Sequence, residues 1–397
     1  MKILVHDYSG HPFQSELSRE LSRRGHEVVH SYCDAYYSGK GRLEATEGET
    51  LRFEVIAEGV SMDKQRFLVR LVQELRFGVL LSRQVLRVRP AVALVGNTPL
   101  PTLAVMTLVL WLWRIPWVHW QQDVQAVAIR SFAGTRLSRH FKLVAASMAV
   151  VERWCCRRSQ HVVAISEAFL DVHRRWGTLA KTTVIHNWAP VAEICPADRH
   201  NSWSASHGLD DTLTLLYSGT LGLKHNPKLL VRLARRVLDS GVPVHLVVVS
   251  EGPSMAVIEA EAARLGVPVT LLPFQPYEAL SEVLSSGDVL LVVLEKDAGA
   301  FSVPSKTMSY LCAGRPVLAL IPEQNIAADL VRRAGGFVGS PQERSLGPAA
   351  DWVRGVLKDD ACRAELGSRS RALAESEFVL SRNADRFEEL LTAASRA

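Results

Sequence analysis

The first half of the chain alternates short apolar runs with amphipathic segments. An apolar run at 2–6 is followed by a polar loop, by a stretch over 13–24 with apolar residues at helical spacing, and by a second apolar run at 26–30. This order predicts a strand–helix–strand unit. The same patterns predict further strands at 91–96, 115–120, 161–165 and 183–186, and helices at 67–88 and 101–113.

The pattern breaks over 189–211, where prolines and a run of Ser, Asn, Asp, His and Arg predict an interdomain linker. A second strand–helix alternation then begins. We therefore predict an α/β chain with two doubly wound domains, the first at 1–188 and the second at 212–375. A final amphipathic helix within 376–397 lies beyond the second alternation, and we expect it to pack back on the first domain.

Residues 301–317 read as a loop, a short helix, a stop and a strand. Ser305 is a suitable N-cap, and Gly314 followed by Pro316 is a suitable C-terminal stop. The first helical turn would offer the Lys306 ammonium together with hydroxyls and unpaired backbone N–H groups. Such a helix start suits an anion, and a diphosphate fits it well. The alternative is an ordinary capped helix whose lysine points at water.

Composition narrows the class of protein. The chain has 397 residues, is 48% hydrophobic and 22% charged, and carries six cysteines without a C-x-x-C spacing. These values are typical of a soluble globular protein with reduced thiols, and we expect it to be cytoplasmic. The chain opens with a predicted strand and not with the long apolar segment of a signal peptide.

Charge is distributed unevenly. Residues 1–200 hold 26 Lys and Arg against 18 Asp and Glu, a net charge of +8, whereas 201–397 hold 20 against 23, a net charge of −3. Basic residues alternate with apolar ones over 66–89 and 130–158, a pattern typical of helices at a membrane surface. Core helices with a solvated basic face would show the same pattern. The apolar run at 101–113 is too short for a bilayer, and nothing indicates binding to nucleic acid.

Several short segments together resemble a known family. They begin with Arg24-Gly-His-Glu-Val28, Gln122-Asp123, Val163-Ala-Ile-Ser-Glu167 and Asn187-Trp188, and continue with Tyr217-Ser-Gly-Thr-Leu-Gly222, Glu251-Gly-Pro253, Val303-Pro-Ser-Lys306 and Ala313-Gly-Arg-Pro-Val317. In this order they are similar to the retaining GT-B glycosyltransferases of family 4, and closest to the bacterial polysaccharide, colanic-acid-type subgroup. The resemblance covers nearly the whole chain. It implies two Rossmann-like domains that face a cleft.

The resemblance also implies a reaction. A metal-independent enzyme of the hexosyltransferase type would take a sugar from a UDP- or GDP-linked donor bound to the second domain. It would transfer that sugar to a lipid-linked or saccharide acceptor bound to the first domain, at the inner membrane surface. No cofactor is implied beyond the donor itself, which is a substrate.

The resemblance assigns roles to individual residues. Asp123, His119 and Lys224 would be the catalytic residues, with the lysine neutralising the departing diphosphate. The donor would be held by Gly10 at its sugar and phosphates, by Glu251 and Phe274 at its base, and at its phosphates by Gly219, Thr220, Lys224, Pro304, Ser305, Lys306 and Thr307.

Two departures from the family pattern keep an alternative open. Many members carry a glutamate pair where this chain has Phe301 and Ser309, and a Gly-Arg pair where it has Gly219-Thr220. A pair of GT-B domains that binds a nucleotide-sugar or a partner without efficient transfer is therefore the alternative hypothesis. A nucleotide-sugar epimerase is disfavoured because the acidic and histidine residues of that group are not evident.

Overall fold

The computed structural model describes residues 1–33, 43–45, 48, 50–57, 66–127, 139–222, 225–296 and 304–396. Within these residues the chain forms two compact units. The first contains residues 1–187 and 380–397, and the second contains 188–379. Each unit is built on one parallel sheet, as expected for long apolar runs that are buried on both faces.

The sheet of the first unit has seven parallel strands in the order β3-β2-β1-β4-β5-β6-β7. The strands are β1 (Lys2–Asp7), β2 (Glu27–Cys33), β3 (Leu51–Ile56), β4 (Val92–Gly96), β5 (Trp117–Gln121), β6 (His161–Ala164) and β7 (Thr182–Val184). The helices before the second unit are α1 (Pro12–Arg23), α2 (Phe67–Val88), α3 (Leu100–Leu112), α4 (Arg139–Arg158) and α5 (Leu170–Trp176).

Helices cover both faces of this sheet. On one face α2, α3 and α4 bury an apolar core that includes Phe77, Leu81, Met106 and Cys155 against Leu4, Val29, Val95 and Trp117 of the strands. The other face is covered by α1 and by the last helix of the chain, α14 (Leu380–Ser395). The edge strand β3 comes from the region before α2.

The second sheet has six parallel strands in the order β10-β9-β8-β11-β12-β13. The strands are β8 (Leu213–Ser218), β9 (Val244–Val249), β10 (Val269–Leu272), β11 (Val289–Val293), β12 (Val317–Leu320) and β13 (Phe337–Gly339). The helices are α6 (Ser202–Ser206), α7 (Lys228–Asp239), α8 (Ser254–Leu265), α9 (Leu280–Ser285), α10 (Lys306–Cys312), α11 (Ile326–Arg333), α12 (Leu346–Lys358) and α13 (Asp360–Glu377).

Most of the predicted linker is packed within the second unit. Arg199 donates from Nη2 to the carbonyl oxygens of Leu209 (3.1 Å) and Thr212 (2.6 Å). Asn201 accepts from two backbone N–H groups and forms a capping box at the start of α6. The polar residues that predicted a linker therefore include the cap of a short helix. Asn and Ser side chains are common in loops and also form hydrogen bonds to the free N–H groups at helix starts.

The C-terminal helix α14 is held on the first unit by an apolar contact and by ion pairs. Phe387 is fully buried, and its ring lies 4.4 Å from that of Trp120 on β5. Arg24 donates from Nη1 to Asp385 (2.7 Å) and to Glu388 (2.8 Å), while His26 Nε2 lies 2.9 Å from Glu388. The hydrogen bond from Arg24, together with that of His26, lowers the pKa of the Glu388 carboxyl.

Phe387→Ala should destabilise the first unit by about 3–5 kcal/mol, since it removes a fully buried aromatic side chain and leaves a cavity beside Trp120. Hydrogen exchange followed by mass spectrometry should show lost protection in α1 and β5. Glu389→Ala, on the exposed side of the same helix, is the control and should change protection little. Unchanged protection in the Phe387 variant would contradict this packing.

Candidate functional site

Each sheet contains a point where the strand order reverses. In the first sheet, β2 and β3 are added on one side of β1, and β4 is then added on its other side. In the second sheet, β9 and β10 are added on one side of β8, and β11 is added on its other side. Loops that follow the two central strands diverge over opposite faces of the sheet and leave a crevice at the carboxyl edge. In doubly wound folds this crevice is where ligands bind.

In the second unit, Gly219 and Lys306 meet at this crevice. Gly219 follows β8 with a φ of +135°, a conformation that favours glycine. A β-carbon at this position would lie only 2.9 Å from Lys306 Cε. Glycine therefore leaves the space through which the lysine side chain passes, and two predicted phosphate-binding residues are brought together.

Two tyrosines, which the sequence analysis did not identify, organise this contact. The Tyr217 hydroxyl donates to the Thr220 carbonyl oxygen (2.9 Å) and accepts a hydrogen bond from Lys306 Nζ. Lys306 Nζ also donates to the same carbonyl (3.1 Å) and lies 4.1 Å from the centre of the Tyr217 ring. Tyr310 Oη accepts from the Ser218 N–H (2.8 Å) and donates to the Ser218 carbonyl (2.9 Å). The loop after β8 is thus fixed on both sides.

Desolvation disfavours the charged form of Lys306. Its partners are a phenol, a carbonyl and an aromatic ring, and no carboxylate of the described chain forms an ion pair with it. Burial lowers the pKa of the Lys306 ammonium to about 7. A cation held without a counter-ion at a strand-order reversal is suited to an anionic ligand, which would restore the ordinary pKa.

The start of α10 differs from the prediction. Ser305 occupies the N-cap position of α10, as predicted, but its backbone angles are helical and its side chain makes no capping hydrogen bond. The N–H of Thr307 bonds to the Pro304 carbonyl (3.0 Å), and that of Met308 bonds to the Ser305 carbonyl (3.0 Å). The Thr307 hydroxyl is buried without a hydrogen-bond partner in the described part of the chain. Lysine and hydroxyl groups, rather than a row of open N–H groups, therefore define this end of the helix.

Glu251 and Phe274 also meet at the carboxyl edge of the second sheet. Glu251 follows β9, Phe274 follows β10, and the Phe274 N–H donates to Glu251 Oε1 (3.3 Å). Both side chains are accessible to solvent. The two residues predicted to hold a base are therefore neighbours.

In the first unit, the loop after β1 carries Gly10 at the corresponding edge. Asp7 accepts from the Ser9 N–H (3.1 Å) and from His11, and Asn97 donates to the Ser9 hydroxyl (2.6 Å). Burial opposes ionisation of Asp7, but the charge and hydrogen bonds of His11 outweigh it and lower the pKa of this carboxyl. Gly10, with a φ of +72°, completes the turn. In the sequence, Asp7 and Asn97 could have been identified as candidate site residues only from their positions at the ends of β1 and β4.

Asp123 lies in the loop that follows β5, and hydrogen bonds to the Glu152 side chain of α4 hold this loop in place. The Glu152 carboxylate, 2% exposed, accepts from Gln121 Nε2 (2.9 Å) and from the N–H groups of Gln125 (3.0 Å) and Ala126 (2.9 Å). Burial raises the pKa of Glu152 to about 7. Asp123 itself is partly exposed. The sequence analysis missed Glu152, which looks like any other acidic residue on an amphipathic helix.

His119 is placed differently from the prediction. It lies within β5 rather than at its end, and its Nδ1 is 3.5 Å from Cys156 Sγ on α4. Burial lowers the pKa of its imidazole to about 3. Because side chains alternate along a strand, His119 faces the helix layer with Trp117. We therefore assign it to the core of the first unit and not to the edge where Asp123 lies.

The remaining sequence hypotheses concern Lys224, the positions Phe301 and Ser309, and a metal site. Lys224 and Phe301 lie outside the described residues, whereas Ser309 lies within α10 and is partly exposed. Among the residues that the structure describes, no cluster of three His, Cys, Asp or Glu side chains has the arrangement of a metal site.

Both a protein-family model and a curated relative match part of this chain. Residues 11–188 match the family model described as a glycosyl transferase 4-like domain. This stretch of the chain is therefore similar to glycosyl transferase 4-like domains. A second comparison finds WcaI of Escherichia coli (strain K12), which is named for glycosyl transfer in colanic acid biosynthesis. WcaI is 27% identical over 176 residues, and the match spans 43% of this chain and 43% of that relative.

Solved structures extend the likeness beyond the glycosyl transferase 4-like domain. HepE of Anabaena, solved with UDP and glucose, superposes with a TM-score of 0.70 at 17% identity, over 99% of this chain and all of that one. Sucrose-phosphate synthase from Thermosynechococcus elongatus gives a TM-score of 0.73 at 16% identity, over 98% of each chain. WaaG, a glycosyltransferase of lipopolysaccharide biosynthesis, gives 0.66 at 13% identity, over 96% of this chain and 98% of that one. The predicted GT-B fold and the family 4 resemblance are confirmed.

Lys306 should titrate near pH 7 in the ligand-free protein. Its folded pKa is lower than the unfolded value of 10.5, so the unfolded chain binds more protons between these values. The free energy of unfolding should therefore rise with pH across this window because of Lys306. Urea denaturation at several pH values, together with ¹³C NMR of labelled lysine, would measure both effects.

Lys306→Gln should abolish this part of the pH dependence and remove the shifted lysine resonance. Lys228→Gln, an exposed lysine at the start of α7, should preserve both. A Lys306 resonance that titrates above pH 10 would show that the ammonium is fully hydrated.

Proposed function

We propose that this chain is a retaining glycosyltransferase that transfers a sugar from a UDP- or GDP-linked donor to a glycan or lipid-linked acceptor in bacterial surface polysaccharide biosynthesis. The observation that carries the proposal is the Lys306 ammonium lying against Gly219 at the strand-order reversal of the second sheet. A family model for glycosyl transfer on the first half and a fold shared with UDP-binding HepE support it.

The second unit would bind the donor. Lys306, Gly219 and Thr220 would hold the diphosphate, with the Thr307 hydroxyl available for a further hydrogen bond. Ser305 and Pro304, at the start of α10, would border the same phosphates. Glu251 and Phe274, joined at 3.3 Å, would bind the base or ribose farther along the edge. Because α10 has seven residues, the lysine and not the helix dipole is the main attraction for the phosphates.

Departure of the nucleoside diphosphate is the step that needs electrostatic help. Negative charge grows on the leaving phosphate oxygen as the bond to the anomeric carbon breaks, and a fixed ammonium stabilises that charge. We assign this role to Lys306 and, from the family resemblance, to Lys224. Two lysines would supply the positive charge in place of a metal ion, as a metal-independent hexosyltransferase requires.

The first unit would bind the acceptor and the transferred sugar. Gly10, in a loop braced by Asp7 and Asn97, leaves the backbone open to a close approach, and Asp123 offers a carboxylate to a hydroxyl group. The acceptor hydroxyl would attack from the face that the diphosphate leaves, so the anomeric configuration is kept. A departing phosphate oxygen, and not His119, would then take the acceptor proton.

UDP binding should be coupled to proton uptake by Lys306. At about pH 8 the free protein would hold this lysine mostly neutral, and a bound diphosphate would favour its charged form. Calorimetry in buffers of different ionisation enthalpy should therefore reveal uptake of up to one proton. Lys306→Gln should weaken UDP binding by at least about tenfold, the loss of roughly one charge-assisted hydrogen bond, and should remove the uptake.

Lys228→Gln is the matched control and should leave UDP affinity and proton uptake unchanged. If GDP alone shows the coupled uptake, the donor is GDP-linked. Binding without sugar transfer to membrane extracts would favour the alternative of a nucleotide-sugar-binding protein. Tight UDP binding that is insensitive to Lys306→Gln would refute the donor site.

We further propose that the layer formed by α2, α3 and α4 rests on the inner membrane surface. No helix of the described chain has the length and apolarity to span a bilayer. This layer nevertheless exposes many large apolar side chains: Leu68, Val72, Leu75, Val79, Leu108, Trp111, Leu112, Trp113, Val144 and Val150. Arginines accompany them, and Arg158 lies over the Trp111 ring at 4.5 Å. Apolar side chains flanked by arginines are suited to an anionic lipid surface.

The double change Leu112→Ser with Trp113→Ser should reduce recovery on anionic vesicles, because both side chains are 56% exposed and would enter the lipid interface. Flotation at low and high salt measures the effect, and high salt should release the wild-type protein. Val257→Ser changes an exposed apolar residue of the second unit and serves as the control. Equal recovery of wild-type protein on neutral and anionic vesicles would count against this surface.

A further inference from the structure

A cavity of about 630 Å³ opens at the amino edge of the second sheet. Its walls include Asp288, which immediately precedes β11, and Arg315, which lies just before β12. Parallel strands all begin at one edge and end at the other. The cavity is therefore at the opposite edge of the sheet from Lys306, and no role proposed above uses it.

The floor of this cavity holds one carboxylate among three guanidinium groups. Asp288, 3% exposed, accepts from Arg199 Nε (3.2 Å) and from the Thr214 N–H (2.8 Å) through Oδ2. Its Oδ1 lies 3.6 Å from Arg363 Nε. The Asp288 carboxylate is thus shared by Arg199, Arg363 and a backbone N–H group, and it makes no ion pair with Arg315.

Arg315 is the arginine without a counter-ion. Its Nη2 donates to the Ala197 carbonyl (2.9 Å), its Nε is buried with no hydrogen-bond partner, and no carboxylate of the described chain lies within 4 Å. Burial lowers the pKa of this guanidinium. The more distant charges of Asp288 and Asp198 oppose the shift, whereas those of Arg199 and Arg363 add to it, and the net effect is a lowered pKa. Such a group is costly to hold buried unless an anion joins it.

The rim does not supply the missing negative charge. Arg363 Nη2 bonds to Asp360 (2.6 Å), whose side chain is 89% exposed, and Arg371 Nε bonds to Glu375 (2.7 Å). Each pair is neutral by itself, and exposed carboxylates are screened by water. Arg371 also donates from Nη1 to the carbonyl oxygens of Ile194 and Cys312, both at 2.8 Å, which fixes one wall. Asp198, another neighbour of Arg315, is exposed.

We propose that this cavity binds the phosphate group of a small phosphorylated metabolite, with Arg315 as its principal contact. Guanidinium and phosphate groups match in planar, two-point hydrogen bonding, and a phosphate dianion would offset the excess charge of the floor. The volume lies within the range of small-molecule sites and is far larger than a phosphate ion needs. A sugar phosphate or a compound of similar size therefore fits better than inorganic phosphate.

Calorimetry on full-length protein carrying Lys306→Gln tests the cavity separately from the donor edge. Glucose 6-phosphate and inorganic phosphate are the probes, at millimolar concentrations. Glucose 6-phosphate should bind, and adding Arg315→Gln should weaken it by at least about tenfold, the loss of roughly one charge-assisted hydrogen bond. Adding Arg344→Gln, an exposed arginine that does not line the cavity, should leave its affinity unchanged.

Arg315→Lys provides a second measurement should the glutamine variant fold poorly. It retains the charge but not the planar fork, and it should weaken binding several-fold. Tighter binding of glucose 6-phosphate supports an organic phosphate, whereas equal binding of both probes supports free phosphate at the same site. Absence of binding by either probe, or an affinity that neither Arg315 change alters, would overturn the proposal. UDP binding by the wild-type protein is measured independently, so the donor site can fail without affecting this result.

Discussion

The reversal of strand order beside β1 and beside β8 is the constraint on which both candidate edges depend. It separates the loops that follow the central strands and leaves space above the sheet. In the first unit that space is bordered by Ser9, Gly10 and Asn97, and in the second by Gly219 and Lys306. The backbone topology therefore decides where polar groups can gather before any side chain decides what they bind.

Most strands were predictable because parallel strands that are buried on both faces appear in the sequence as short continuous apolar runs. Sites were harder to predict. Lys306 bonds to residues 86 and 89 positions away in the sequence, and nothing local indicates that Tyr217 is its partner. His119 was assigned from the family resemblance, but its position in the alternation of β5 turns it toward α4. Arg24 and His26 entered as part of a family motif, and the structure shows that they hold α14.

The Lys306 site illustrates a conflict between stability and binding. Two buried tyrosine hydroxyls and a glycine with positive φ hold the loop after β8 in one conformation, and they give the ammonium only neutral partners. A carboxylate in the place of Tyr217 would stabilise the lysine and would also compete with an anionic ligand. A diphosphate bound as proposed would relieve the desolvation cost that the free protein carries at Lys306. The arginine-lined cavity at the other edge has the same imbalance without a lysine.

The return of α14 to the first unit has a consequence for biosynthesis. The ribosome makes strands β1 to β7 first, but Trp120 stays uncovered until residues 380–397 have emerged. At about 5–20 residues per second, residues 188–379 take on the order of 10–40 s to synthesise. The first unit exposes an apolar face throughout that time, and by its end the second unit has all its residues. The strands of the first unit are translated before those of the second, yet the first unit is completed later, and a premature stop within α14 would leave its Trp120 face uncovered.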